Sequence, residues 1–147
     1  MQGSSRMLLR TGLPSVANPL YILIADDDPD IREMVRTVLQ LDGHPVLEAP
    51  DGQTAWKLIV ANRPALVVTD VQMPGIDGLE LTALIKANGY RETKVIVFTG
   101  MATEWQAQRA GADAYLTKSA PLLELRAAVS RLCPGRVRGG AKVKVQR

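Results

Sequence analysis

From residue 20 onward, short apolar runs alternate with longer stretches in which apolar positions recur every three or four residues. The runs LYILIA (20–25), PVLEA (45–49), ALVVT (65–69), KVIVFT (94–99) and AYLT (114–117) read as strands, most of them continuously apolar as in strands covered on both faces. Between the first two, Ile31, Met34, Val35, Val38 and Leu39 fall at i, i+3, i+4, i+7 and i+8, one face of a helix. Asp28 precedes it as an N-cap with Pro29 at the first helical position, and Asp42-Gly43 ends it. Residues 51–61 predict a second helix, with Ala55, Leu58 and Ile59 inward and Pro64 beyond its end. Residues 79–87 predict a third, stopped by Asn88-Gly89. A short fourth helix over 103–110 runs up to Gly111, and a fifth over 122–132 is ended by Pro134-Gly135.

Five strands alternating with five helices predict an α/β fold with a parallel sheet, layered between helices on both faces. Right-handed crossovers leave few topologies. In such open sheets the working site lies at the carboxyl ends of the strands, where the strand order reverses.

Composition refines the boundaries. Residues 1–19 are rich in Gly, Ser, Pro and Asn without a lasting period, and read as a flexible arm. Residues 20–133 are the folded domain, and 134–147 (PGRVRGGAKVKVQR) read as a disordered basic tail. The net charge of +3 conceals a division. All fifteen acids lie between residues 21 and 133 with eleven Lys/Arg, so that segment carries 11 − 15 = −4, while the tail carries +5. Any electrostatic contact with nucleic acid, an anionic membrane or an acidic protein therefore belongs to the tail, which is too short to be a folded DNA-binding domain. No apolar run reaches the length of a transmembrane helix, and no signal peptide is evident. The single cysteine, Cys133, suits a reducing compartment. These features predict a cytoplasmic protein.

The strand ends carry the candidate chemistry. The first strand ends in Asp26-Asp27-Asp28, the third in Asp70, the fourth in Thr99-Gly100 and the fifth in Lys118. Carboxylates gathered on one rim repel, by about 4 kcal/mol for a pair ~4 Å apart at an effective dielectric of ~20. A cation or a proton relieves this; an oxygen-liganded divalent ion, Mg²⁺ above all, is the natural answer, and no nearby His or Cys points to zinc. Metal, lysine and hydroxyl around a carboxylate suit phosphoryl transfer. Asp70 stands alone on the central strand and is the candidate nucleophile; the adjacent Asp26 and Asp27 suit the metal.

The segments ILIADDDPDIREMV, ALVVTDVQMPGIDGLEL, VIVFTG and AGADAYLTKSAP, in this order and spacing, resemble the receiver domain of bacterial two-component response regulators. The resemblance covers about three quarters of the chain. It implies the flavodoxin-like fold with strand order 2-1-3-4-5. It also implies that Asp70 accepts a phosphoryl group from a phosphohistidine of a histidine kinase or histidine phosphotransfer protein. Asp26 and Asp27 resemble the acidic pair that organises Mg²⁺, Asp27 directly and Asp26 mostly through water, with the backbone carbonyl of Gln72 a further ligand. Thr99 resembles the switch hydroxyl, Gly100 its neighbour at the phosphate, Lys118 the phosphate-pairing lysine and Tyr115 the rotating switch aromatic. Such a chain is a phosphoacceptor with phosphotransfer and autodephosphorylation chemistry rather than an enzyme. It would act on an unnamed output protein through the face of its fourth helix, fifth strand and fifth helix, as a monomer or a homodimer. It reads as a stand-alone receiver.

Three positions depart from the family pattern. Ser119 follows Lys118 where the family has proline after a cis bond; cis before a non-proline costs about 3 kcal/mol, which leaves this loop trans or strained. The stretch from Thr99 to Lys118 is about three residues short, so the fourth helix or the loop leading into it is expected to be short. Gln72 occupies a position that tunes access of water to the phosphoryl group. Two other functions compete. An aspartate-nucleophile phosphohydrolase would carry a second acid where Gln72 stands, and a phosphorylation-independent scaffold would not need the acidic set. Plainer roles are expected elsewhere: Asp28 a cap, Trp105 a packing residue, His44 an exposed loop residue and Cys133 inert.

Overall fold

The computed structural model describes residues 20–100 and 102–133; the arm and tail inferred from composition lie outside them. Five strands and five helices alternate along the described chain: β1 (Ile22–Ala25), α1 (Pro29–Leu41), β2 (Val46–Ala49), α2 (Gly52–Asn62), β3 (Leu66–Thr69), α3 (Gly78–Ala87), β4 (Lys94–Thr99), α4 (Glu104–Ala110), β5 (Ala114–Thr117) and α5 (Leu122–Leu132). The strands form one parallel sheet in the order β2-β1-β3-β4-β5. The order reverses at β1 and β3, whose carboxyl ends deliver the acids.

The continuous apolar strands follow from the alternation of side chains across the sheet. Leu23, Val67 and Val95 share one row, facing Ala55, Ile59, Leu81, Ile85 and Ala107 of α2, α3 and α4. Ile24, Val68 and Ile96, one residue on, face the opposite way into Val35, Leu39, Leu125 and Val129 of α1 and α5. The three central strands therefore contribute to two cores, while the edge strands carry the partly exposed Glu48 and the exposed Thr117.

The local signals hold. Asp28 caps α1, accepting from the Asp30 N–H at 2.9 Å, with Pro29 at the start. Asp51 caps α2, and Asp77 with Glu80 forms a reciprocal capping box on α3, which begins one residue earlier than the periodicity predicts. β4, β5 and α5 take the predicted bounds, whereas Pro45 stays outside β2. As the short Thr99–Lys118 stretch implies, α4 has only seven residues.

Two expectations fail. His44 is buried, 2 % exposed. After α1 the Gly43 N–H donates to the Gln40 carbonyl at 3.0 Å and the His44 N–H to the Leu39 carbonyl at 3.1 Å. Gly43 takes the left-handed conformation, φ 88°. In this Schellman closure the residue after the glycine turns back onto the helix's apolar side, and that residue is His44. Trp105 is 63 % exposed and does not pack in the core. The single buried residue of α4 is Ala107; two positions away at 100° per residue, Trp105 points to the far side, where Arg109 lies 5.0 Å over its ring. Met34, assigned to the inner stripe, lies at its exposed edge. Cys133 is buried.

At the amino ends of the strands, Leu20 and Cys133 line one cleft of about 630 Å³ together with Arg63, Tyr90 and Arg91. The same rim holds a compact polar network. The Lys86 ammonium donates to Asp113 Oδ2 at 2.9 Å and to the Thr93 carbonyl at 3.1 Å, and Asp113 also accepts from the Val95 N–H at 2.9 Å.

Candidate functional site

At the carboxyl rim the strand tips converge as the topology requires. Asp26 follows β1, Asp70 follows β3 and Lys118 follows β5. Asp26 and Asp70 are buried, 2 % and 7 % exposed, and Asp27 is exposed beside them. One carboxylate oxygen from each of the three acids lies within 4.8 Å of the others.

Each buried acid is fixed at both oxygens. Asp70 Oδ1 accepts from the Val71 N–H at 2.7 Å and Oδ2 from Lys118 Nζ at 2.9 Å. Asp26 Oδ1 accepts from the Asp28 N–H at 2.9 Å, and Oδ2 lies 2.8 Å from Lys118 Nζ. The lysine thus bridges the two buried acids. Burial opposes its charge, yet its hydrogen bonds to Asp26 and Asp70 outweigh that and raise its pKa above the ordinary lysine value. Burial also pushes the Asp26 carboxyl up; the Asp70 charge adds to this, against the bonds from Lys118 and the Asp28 N–H. One lysine does not compensate three acids. The site keeps the excess negative charge and the all-oxygen donor set that a hard divalent cation takes, so these residues fit Mg²⁺.

The remaining candidates surround this centre. Thr99 is fully buried at the end of β4, and its carbonyl accepts from the Lys118 N–H at 3.1 Å, tying the tip of β5 to that of β4. Gly100 comes next, in open space, with no heavy atom within 4 Å of where a Cβ would stand. Gln72 lies exposed on the loop after Asp70. Tyr115 stands in β5 opposite Val97, half-buried, and its hydroxyl donates to the Ala102 carbonyl at 2.6 Å. Every described peptide bond is trans, the Lys118–Ser119 bond included. The Ser119 hydroxyl lies 3.0 Å from that of Thr117, and the Lys118 ammonium reaches the acids without a proline behind it.

Sequence reasoning missed Arg32. Its guanidinium donates to the Asp26 carbonyl at 2.6 Å and to Glu48 at 3.3 Å, holding the first acidic turn from behind. The signal was its place one turn into α1, beside the acids that open that helix. Two glycines were also underread. A Cβ on Gly78 would stand 1.8 Å from the Asp70 carbonyl oxygen, and one on Gly52 2.0 Å from the Ile76 carbonyl oxygen.

This acidic rim on a flavodoxin-like sheet is the arrangement of a receiver. Residues 22–130 match the family model of the response regulator receiver domain, and the chain belongs to that family, the receiver domains of two-component systems. It is similar to response regulator MprA of Mycolicibacterium vanbaalenii, 40 % identical over 119 residues, a match covering 78 % of this chain and 50 % of that protein. The chain thus spans about half the length of the MprA regulators it matches. Among solved structures it resembles the receiver domain of Francisella response regulator 1452, with 30 % identity, TM-score 0.72 and coverage of 78 % of this chain and 96 % of that one. It also resembles response regulator TrrA of Thermotoga maritima in complex with Mg²⁺ and BeF, with 34 % identity, TM-score 0.70 and coverage of 76 % and 97 %. Among the described residues no helix is long and apolar enough to cross a membrane.

Proposed function

We propose that the protein is a phosphorylation switch in which Asp70 accepts a phosphoryl group from a phosphohistidine of a histidine kinase or histidine phosphotransfer protein. One observation carries this reading: three carboxylates, one of them the buried Asp70 that a lysine also reaches, converge within 4.8 Å of one another. A carboxylate oxygen of Asp70 attacks phosphorus. The P–O bond forms as the P–N bond breaks, and the imidazole keeps the electron pair and takes a proton. The Val71 N–H and the Lys118 ammonium fix the plane of the carboxylate beforehand. Lys118 is then in reach of the phosphoryl oxygens, and the buried Thr99 hydroxyl is proposed to bond one of them. Asp26, Asp27, Asp70 and the Gln72 carbonyl would hold Mg²⁺, which neutralises charge on the phosphoryl group when bound. That TrrA has been solved with Mg²⁺ and BeF supports the choice of ion.

The acyl phosphate carries about −2 where the carboxylate carried −1, and this extra charge is proposed to draw Thr99 toward the phosphoryl group and free Tyr115 from the Ala102 carbonyl, changing the face built by α4, β5 and α5 for an output protein. Gln72 would set how fast water removes the phosphoryl group. The proposed setting is the cytoplasm. Incubation with acetyl phosphate tests the reading: label is expected with Mg²⁺, absent with EDTA and absent in Asp70→Asn. Label that persists in Asp70→Asn overturns it.

A further inference from the structure

The loop that carries Asp70 and Gln72 is gripped at both ends by backbone. At its start, Gly78 of α3 meets the Asp70 carbonyl so closely that a Cβ would stand 1.8 Å from that oxygen. At its end, Gly52 of α2 meets the Ile76 carbonyl, where a Cβ would stand 2.0 Å from the oxygen and 2.8 Å from the Ile76 Cβ. No flexible side chain at either joint can move aside; only backbone can. Both glycines open their helices directly after a capping aspartate, Asp51 and Asp77. The caps bond within their own helices, to Thr54 and Glu80, and so fix the first turns against which the loop rests.

We propose that Gly52 is a positioning residue for the phosphoacceptor loop. The first turn of α2, which contributes no acid to the site, sets where the loop from Val71 to Asp77 runs and hence where the Gln72 carbonyl stands. This inference rests on the reading of Asp26, Asp27 and Asp70 as the ion site.

Mg²⁺ titration by calorimetry, without phosphodonor, tests it on the full chain. Wild type is expected to bind. Gly52→Ala is expected to raise the Mg²⁺ dissociation constant at least tenfold and to shift the amide resonances of Val71–Ile76. Asp51→Ala, which loosens the same helix end without adding an atom at the joint, is expected to stay within threefold. If Gly52→Ala does not fold, Ile76→Gly approaches the joint from the loop side; removing the bracing side chain is expected to weaken Mg²⁺ binding at least threefold. A folded Gly52→Ala with wild-type affinity, or an Ile76→Gly within twofold of wild type, overturns the proposal. Equal weakening by Asp51→Ala and Gly52→Ala overturns it too, reducing the effect to helix stability. Wild-type protein that binds no Mg²⁺ overturns instead the ion-site reading beneath it.

Discussion

Each end of the sheet has a lysine between acceptors, and the two lysines do opposite work. At the amino rim Lys86 meets one carboxylate, Asp113, and one carbonyl, and the second partner of Asp113 is the Val95 N–H. Charge there is matched one to one. At the carboxyl rim Lys118 bridges two buried acids with a third beside them. The matched rim fastens α3, β4 and β5 together. The unmatched rim holds a surplus of negative charge that a bound cation relieves, which is a cost to the fold and the basis of its proposed chemistry.

Substitutions at the two rims should therefore move stability in opposite directions. Asp113→Ala leaves the Val95 N–H and the Lys86 ammonium without their shared acceptor. It is expected to cost about 2 kcal/mol in urea unfolding while leaving Mg²⁺ affinity unchanged; a loss of affinity would break the division of labour. Asp26→Asn removes one charge from the crowded rim. It is expected to stabilise the metal-free protein by about 1 kcal/mol and to weaken Mg²⁺ binding about tenfold, since one ligand charge is gone. Destabilisation of the metal-free form would show that its lysine contact outweighs burial and repulsion. Asp77→Ala removes half of a capping box and is expected to cost about 1 kcal/mol, read as a lower thermal midpoint.

The smallest effect is visible only in acid. Asp51 sits near the same rim but is satisfied: the Thr54 N–H and hydroxyl hold its pKa below the ordinary 3.8. A carboxyl lowered on folding stabilises above its unfolded pKa, and that contribution disappears as the pH falls through the lowered native value. Asp51→Asn is therefore expected to flatten the fall in stability below about pH 4, with little change at neutrality. An unchanged acid limb would place the lost stability in other carboxyls.

How much the chain reveals without coordinates depends on how local the cause is. The strands to within a residue or two, the cap at Asp28 and the acids at the strand tips arise from residues a few positions apart and were legible. His44 was misjudged because a histidine before proline was weighed by its polarity, although Gly43 already specified a turn that buries the next residue. Trp105 was misjudged as a packing residue, whereas a seven-residue helix with one small inward residue leaves it outside. Gly52 and Arg32 act on backbone carbonyls, and which carbonyl a residue will meet depends on tertiary placement that periodicity does not encode. Ser119 could be seen as a departure, but only the packed loop shows Lys118 reaching both acids without proline.

The cleft at the amino rim, bordered by Leu20 and Cys133 alike, has a topological consequence. The fold enters and leaves at one spot, with the length of a β-strand, ~13–20 Å, separating that spot from the acidic rim. A short linker across the cleft would close the domain into a ring, and new ends cut in an exposed loop such as Arg91-Glu92 would give a circular permutant. The two ends of the described fold therefore lie together, at the opposite end of the strands from Asp70.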